Sequence, residues 1–168
     1  MIADITRDGM NVTPKIDTLT AEGAKRSRPM PAGSVVMAVS GAVGLPAILT
    51  IDACIHDGFV GFRSLNARVD PTFLYHYLMI NRVRNSAQGA GAIWINLTTD
   101  QVKQFMVPIP PYELQMLYRT RLNCIGRAIH SQRQALGLTN NLFASLQHRA
   151  FNGELTSKDV ERELVMAG

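Results

Sequence analysis

The clearest pattern along the chain is a pair of apolar runs of strand length. Residues 35–39 (VVMAV) and 47–51 (AILTI) are rich in β-branched side chains, and residues 40–44 (SGAVG) between them have the chemistry of a turn. We therefore predict two buried strands joined by a glycine-rich loop. Residues 58–62 (GFVGF) predict a third extended segment.

A helix is predicted to begin at residue 71. Asp70 is a favourable N-cap, and Pro71 suits the first helical position, where its missing N–H is not needed. Leu74 and Leu78 recur at the spacing of one helical face, and polar residues follow up to Arg84. The pattern predicts an amphipathic helix that is buried on one side.

An irregular segment and a short helix come next. Residues 85–96 include two glycines and are predicted to form an exposed loop or an irregular hairpin. Thr98 and Gln101 form the capping-box pattern of a short helix that ends near Phe105. Residues 106–111 (MVPIPP) are extended, and the globular domain is predicted to end with them.

From residue 112 onward the apolar pattern changes to a heptad repeat. Steps of four and three residues generate one apolar seam, with polar Gln132 and Thr139 at two seam positions. The predicted pairing residues are Tyr118, Leu122, Ile125, Ile129, Leu136, Phe143 and Leu146. A helix over residues 112–151 would be roughly 60 Å long, more than a domain of ~110 residues can cover.

This long helix needs a partner for its stability. Gly126 and Gly137 each cost about 1 kcal/mol relative to alanine in a helix interior, so packing must supply the stability that intrinsic propensity lacks. We predict that the helix forms a coiled coil with a second helix. The alternative, a helix that packs back on its own domain, stays open on the sequence.

Length and composition fit one domain with an appendage. The chain has 168 residues, of which 46% are hydrophobic and 18% are charged, as in ordinary folded proteins. The patterns together predict an α+β fold, in which a mixed domain of short strands and helices precedes one long helix. We expect the domain over residues 1–111, the helix over 112–152 and a tail over 153–168.

The expected compartment is the cytoplasm. No apolar run is long enough to span a membrane, and residues 1–7 (MIADITR) lack the apolar region of a secretory signal. Two cysteines, Cys54 and Cys124, do not make a disulfide framework and are expected to be reduced.

Positive charge is concentrated in the long helix. The net charge is +4, and residues 112–152 carry five Lys/Arg against one Asp/Glu. Residues 1–111 carry ten against eight, and residues 153–168 carry two against four. A basic balance of this size permits binding to phosphate backbones without demanding it.

Motifs for catalysis, metals and cofactors are weak. Residues 110–112 (PPY) resemble the end of the motif with which amino-methyltransferases hold a flipped base, but Ile109 stands where that motif needs Asn or Asp. Residues 40–44 match neither a P-loop nor a nucleophile elbow. Cys54 and His56 are one short pair, which alone does not predict a metal site. We expect no catalytic group, metal or cofactor.

Two groups of basic and amide side chains are candidates for nucleic-acid contacts. The first group is predicted to lie in a loop before the first strand, and the second near the end of the first amphipathic helix. Their members are Lys25, Arg26 and Arg28, and then Arg82, Arg84, Asn85 and Gln88. Arginine, asparagine and glutamine pair bidentately with guanine and adenine edges. On spacing alone, solvated surface charges are the alternative.

The order of several short motifs resembles the specificity subunit of type I restriction-modification enzymes. The motifs are residues 33–37 (GSVVM), 40–44 (SGAVG), 70–74 (DPTFL), 107–111 (VPIPP) with Gln115, and 150–155 (AFNGEL). In this family, two target recognition domains are each followed by a long helix. The two helices pack as an antiparallel coiled coil that sets the distance between the half-sites of a bipartite DNA target. The present chain resembles one such half.

This resemblance implies a non-catalytic DNA specificity module. Its implied partners are double-stranded DNA, the methyltransferase (modification) and restriction subunits, and either a second copy or a second specificity half. The implied phosphate contacts are Lys25, Arg26, Arg28, Arg82 and Arg84, and the implied groove contacts are Ser40, Asn85, Gln88 and Trp94. Arg119, Arg121, Arg127 and Arg133 would face either acidic methyltransferase subunits or the DNA between half-sites.

The chain departs from the family pattern in two places. Leu114 stands where the family has Glu before the Gln of the Pro-Pro signature. Family recognition domains also carry several dozen residues before the segment that matches residues 2–6, so we expect a truncated domain or a product of gene splitting.

Two other functions are compatible with the sequence. One is a protein-interaction adaptor that uses the long helix alone and does not bind DNA. The other, a free-standing enzyme, would require turnover by the purified chain.

Overall fold

Short strands and helices precede one long helix, as the sequence predicts. The structure, a computed structural model, describes residues 2–63, 65–87 and 97–155. Its helices are α1 (Ile2–Asp8), α2 (Ala21–Lys25), α3 (Pro71–Ala87), α4 (Thr99–Lys103) and α5 (Tyr112–Phe151). Its strands are β1 (Asn11–Val12), β2 (Arg28–Met30), β3 (Val35–Ala38), β4 (Pro46–Leu49), β5 (Ala53–Ile55) and β6 (Phe59–Gly61). The α+β class is confirmed.

The two predicted apolar strands form the centre of the main sheet. β3 and β4 pair antiparallel, with Val35 opposite Ile48 and Val36 opposite Ala47. All residues of both strands are buried. The turn between them is the predicted glycine-rich loop, so this hairpin is confirmed.

Shorter strands complete two sheets. The larger sheet has the order β1-β4-β3-β6, in which β1 runs parallel to β4 and β6 runs antiparallel to β3. β6 confirms the third predicted strand. β2 and β5 pair antiparallel as a separate ribbon, with Arg28 opposite Ile55. The sequence did not predict β1, β2 or β5.

The core lies on both faces of the sheet, because neighbouring strand residues point to opposite sides. Val36, Ala38 and Leu49 pack on one face with Phe59 and Met30. The other face is covered mainly by α3, and its cluster consists of Val35, Met37, Val39, Ile48, Leu74, Tyr75, Leu78, Leu97 and Val102. The predicted burial of one side of α3 is thereby confirmed.

Side-chain caps begin both predicted helices of this unit. Asp70 Oδ1 accepts hydrogen bonds from the backbone N–H groups of Thr72 and Phe73, at 2.9 and 3.2 Å. At α4, Thr98 Oγ1 accepts from Gln101 N at 3.2 Å, and Gln101 Oε1 accepts from Thr98 N at 2.8 Å. Both caps are as predicted.

Two predictions about local structure are wrong. α3 continues through Ala87, so Asn85 lies in its last turn and not in a loop. Lys25 ends helix α2 and Arg28 begins strand β2, so the first basic group is not a loop either. The helix is favoured there by Thr20, whose hydroxyl accepts a hydrogen bond from Gly23 N as an N-cap.

The predicted long helix is present as α5, with 40 residues. Contacts divide the chain into two units, Met1–Arg119 and Thr120–Gly168, so the first two turns of α5 belong to the first unit. At the other end, Gly153 adopts φ +70°, and Glu154 N donates to Arg149 O at 2.8 Å, which is a Schellman stop. No helix in the described part of the chain is long and apolar enough to cross a membrane.

Candidate nucleic-acid interface and helix junction

The glycine-rich turn at residues 40–44 is held from α3. Gly41 and Gly44 have φ values of +72° and +76°, which suit glycine. Arg82 Nε donates to Val43 O at 3.0 Å. A Cβ built on Gly44 would lie 3.4 Å from the Arg82 side chain. Arg82 therefore packs closely on this turn and fixes its position relative to α3.

A second turn, at residues 56–58, lies beside the first. Val39 N donates to Gly58 O at 2.8 Å, and Gly58 N donates to His56 Nδ1 at 3.0 Å. A Cβ on Gly58 would meet the His56 ring at 2.7 Å and Ser40 Oγ at 3.1 Å. A side chain at this position would displace the His56 ring, so the close approach favours glycine and brings Ser40 to the same edge of the domain.

Arginines flank the second turn. Arg28 Nη2 lies 3.0 Å from Asp57 Oδ1. Arg63 Nη2 donates to Pro29 O at 3.1 Å, so its guanidinium reaches the strand that carries Arg28. Arg63 is not among the predicted contact residues, because a lone arginine after a short strand does not indicate which residues will lie beside it.

We call this region the turn edge: the turns 40–44 and 56–58 together with Arg28, Arg63 and Arg82. Three of the predicted contact residues, Arg28, Ser40 and Arg82, belong to it.

The other predicted contact residues are placed less fully. Lys25 and Arg26 lie at the end of α2, just before β2, and Arg26 pairs with Glu22 at 3.5 Å. Arg84 and Asn85 lie in the last turns of α3, but their side chains are outside the described structure. Gln88 and Trp94 lie outside the described residues, and Leu97, which follows them, donates its N–H to Val39 O at 2.9 Å.

The ion pairs that Arg26 and Arg28 form with carboxylates are weak. Asp57 is fully exposed, and the Arg26 and Glu22 side chains are 82% and 80% exposed. Exposed pairs of this kind contribute about 0–1 kcal/mol. An incoming phosphate can therefore displace these carboxylates at little cost. Among the described residues, no group of three or more His, Cys, Asp or Glu side chains is arranged to hold a metal ion.

A buried polar cluster joins the start of α5 to the start of α3. Gln115 is 1% exposed, and its Oε1 accepts from Asp70 N at 2.9 Å. Its Nε2 donates to Arg68 O and Pro110 O, each at 2.8 Å. Arg119 Nη1 donates to Asp70 Oδ2 at 2.8 Å. We call Asp70, Gln115 and Arg119 the helix junction.

The junction revises the roles predicted for two residues of the long helix. Arg119, predicted to face outward, is bound to the buried Asp70 carboxylate. Tyr118, predicted as the first pairing residue, packs edge-on against Phe73 and His76, with ring centroids 6.4 and 5.7 Å apart. The part of the seam that remains uncovered therefore begins at Leu122.

Further along α5 the predicted pairing residues are accessible. Ile125, Ile129, Leu136 and Phe143 are 56%, 44%, 61% and 61% exposed. Leu122 and Leu146 are half-buried. Four large apolar side chains at heptad spacing, all open to solvent, are typical of a helix that has a partner.

Lowering the pH should destabilise the first unit through His76. Burial lowers the pKa of His76 below its usual value of 6.5. The unfolded chain then binds more protons, so stability is lost as the pH falls through about 6.5. We expect Tm to decrease between about pH 7.5 and pH 5.5, above the range in which most carboxylates titrate. His76→Gln should show a smaller decrease, and an equal one would contradict this assignment.

Comparison with known proteins identifies the family. The model of the type I restriction modification DNA specificity domain matches residues 5–136. The protein named as the MjaX type I restriction enzyme specificity subunit, from Methanocaldococcus jannaschii, is 28% identical over 100 residues, which are 60% of this chain and 24% of that protein.

Two solved structures show the same fold. One is a chain from a study of complex assembly and conformational transition of the type I R-M system, with a TM-score of 0.63 at 21% identity over 87% of this chain. The other is the HsdS subunit from Thermoanaerobacter tengcongensis, with a TM-score of 0.59 at 20% identity over 91% of this chain. The present chain spans 36% of each of them. Because the family model covers most of the sequence, the chain belongs to the family of type I restriction-modification DNA specificity domains.

Proposed function

We propose that this chain reads one half of a bipartite DNA target and directs the methyltransferase and restriction subunits of a type I system. The observation that carries the proposal is the family match over residues 5–136, which includes the turn edge and more than half of α5. The match covers 24% of the MjaX subunit, and in this proposal the chain supplies one recognition half. The same family assignment favours DNA recognition over the adaptor function.

In this proposal the turn edge contacts the duplex. Lys25, Arg26, Arg28, Arg82 and Arg84 contact phosphates, and Arg63 joins them because it lies beside β2. Ser40, Asn85, Gln88 and Trp94 supply groove contacts. Turns built on glycines are narrow enough for neighbouring side chains to reach base edges. Arg82 has a second task, since it holds the 40–44 turn.

The exposed seam of α5 is proposed to pair with an equivalent helix. The pairing residues from Leu122 to Leu146 lie at heptad spacing on one side of the helix. With one copy of the helix per chain, the simplest closed arrangement is a two-fold dimer. Pairing with the helix of a second specificity half would cover the same apolar seam.

The remaining parts of the proposal follow from this role. The chain acts without catalysis of its own, in the cytoplasm, where its partner subunits perform the chemistry. The recognition domain extends over residues 1–111, with the helix over 112–152 and the tail over 153–168 as separate functional segments.

The proposal is tested by selecting bound sequences from random duplex DNA and measuring salt dependence. Arg28→Gln and Arg63→Gln should each weaken binding and reduce the slope of log K against log salt by about 0.9, because each releases one phosphate contact. A matched control is Arg68→Gln, which removes the same charge just before the start of α3. Arg68 lies before the first residue of α3, whereas Arg82 lies near the other end of that helix.

Selection should recover a short common sequence for the native chain and for Arg68→Gln. A chain without sequence preference or salt-dependent binding would contradict the proposal and favour the adaptor.

A further inference from the structure

The exposed ring of His56 is held in one orientation at the turn edge. Its Nδ1 accepts a hydrogen bond from the backbone N–H of Gly58 at 3.0 Å. The ring also packs edge-on against Phe59, with centroids 4.9 Å apart and an interplanar angle of 85°. Phe59 is fully buried, so the imidazole is anchored on the core although it is open to solvent. A side chain that is already ordered loses little conformational entropy when it binds another molecule.

The contact with Gly58 determines which nitrogen of the ring carries the proton. A backbone N–H can only donate, so Nδ1 must be the acceptor. In the neutral imidazole the proton then lies on Nε2, which becomes a donor. Within the described part of the chain, no acceptor is hydrogen-bonded to Nε2. His56 therefore offers one uncharged N–H donor to another molecule.

The neighbours of His56 are residues that we propose to contact DNA. A Cβ built on Gly58 would lie 2.7 Å from His56 Cε1 and 3.1 Å from Ser40 Oγ, so the ring and the hydroxyl lie close together. Asp57, the next residue, pairs with Arg28. The donor thus lies beside one proposed groove contact and near one proposed phosphate contact.

An uncharged donor suits a base edge better than a phosphate. Phosphate contacts favour cationic side chains, and Arg28 and Arg63 supply them at this edge. In the major groove, guanine presents two neighbouring acceptors, N7 and O6, whereas cytosine presents only an amino donor. A fixed N–H donor therefore favours guanine and disfavours cytosine at the same position.

We propose that His56 is a specificity-determining residue whose Nε2–H donates to N7 of a guanine in the major groove. The inference rests on the proposed function and adds one base-reading residue to the turn edge. On the sequence, His56 is only half of a weak metal-ligand pair with Cys54. The contacts that orient its ring exist only in the folded turn.

The first test uses a variant that keeps the turn and removes the donor. In His56→Asn, the side-chain oxygen can accept from the N–H two residues later, as asparagine does in turns, so the contact with Gly58 is retained. The shorter amide does not reach the position of Nε2. His130→Asn is the matched control, because His130 is exposed on α5, outside the turn edge. Thermal unfolding should show that both variants fold.

Bound sequences are then selected from random duplex DNA with the full chain. The native protein and His130→Asn should select a guanine at one position, and His56→Asn should lose that preference. Affinity for the selected duplex should fall by about 2- to 10-fold in His56→Asn, the value of one hydrogen bond. The slope of log K against log salt should not change, because no phosphate contact is lost.

A second test changes the DNA and leaves the protein native. The selected guanine is replaced with 7-deazaguanine, which lacks the N7 acceptor. The native chain should bind this duplex about 2- to 10-fold more weakly. His56→Asn should bind the two duplexes equally. This comparison remains decisive if the variant proves unstable, because the native chain alone shows whether N7 is read.

The inference and the proposed function fail separately. Equal binding of the two duplexes by the native chain would overturn the inference, as would an unchanged sequence preference in His56→Asn. A salt slope that falls by about 0.9 in this variant would also overturn it, because His56 would then contact a phosphate. In these cases the native chain still selects a sequence, and the proposed function stands. A native chain without any sequence preference would overturn both.

Discussion

Replacing Gln115 with leucine should lower the free energy of unfolding by about 3–5 kcal/mol. The amide is buried and satisfies three backbone groups, namely Asp70 N–H, Arg68 C=O and Pro110 C=O. Leucine fits the volume but leaves these groups without a partner, and each unsatisfied buried group costs about 1–3 kcal/mol. Urea unfolding followed by circular dichroism should show a lower midpoint at an unchanged m value.

The neighbouring Leu114 supplies the control for this experiment. It is 56% exposed, so Leu114→Ala should change stability by no more than about 0.5 kcal/mol. If Gln115→Leu lowers the free energy of unfolding by less than about 1 kcal/mol, water or a rearranged backbone replaces the amide. The helix junction would then not be a major source of stability.

Placing aspartates at Ile125 and Ile129 should convert a dimer into a monomer. In a paired seam each chain would bury two carboxylates that have no cationic partner on the facing seam. Burying an unpaired charge costs several kcal/mol, so the dissociation constant should rise by at least ~10³-fold. Light scattering of the purified chain should then give the mass of one chain where the native protein gives two.

The matched control adds the same charge to α5 at two exposed positions outside the seam. Asn123→Asp/His130→Asp leaves the seam intact and should remain dimeric. A native chain that is already monomeric would count against self-pairing and favour a helix that awaits a second specificity half or another subunit.

Elements with strong local chemistry were predicted correctly. Asp70 and Pro71 mark the start of α3, and Thr98 with Gln101 marks α4, because a cap needs only residues within one turn. The β3–β4 hairpin carries long apolar runs with glycines between them. The heptad pattern predicted α5 because it repeats over many turns.

Elements without a local signal were missed. β1, β2 and β5 have two or three residues each, which is too short to show an alternating pattern. β1 forms because it pairs with β4, and β2 and β5 form because they pair with each other. In both cases the hydrogen-bond partners are distant in sequence. The end of α3 was placed too early, because polar residues in its last turns look the same in a helix and in a loop.

The candidate site was predictable only in part. Residue type pointed to Arg28, Ser40 and Arg82, and the fold brings them to one edge. Their proposed contacts with DNA remain predictions. Gln115 was noticed for its place in the Pro-Pro signature, but its burial was not, since it depends on Asp70, 45 residues away. Arg63 is beside Arg28 for the same kind of reason, through Pro29 O.

The helix junction determines where recognition halves can be exchanged between related proteins. A chimera cut after Pro111, at the apparent end of the domain, would take Asp70 from one parent and Gln115 with Arg119 from the other. Arg119 binds one oxygen of Asp70 and Gln115 accepts from its N–H, so mismatched parents would lose the ion pair or the amide hydrogen bonds. Crossovers placed after Arg119 keep these bonds within one parent. Chimeric proteins assembled from such halves should therefore fold more often when the first two turns of α5 come from the same parent as the domain.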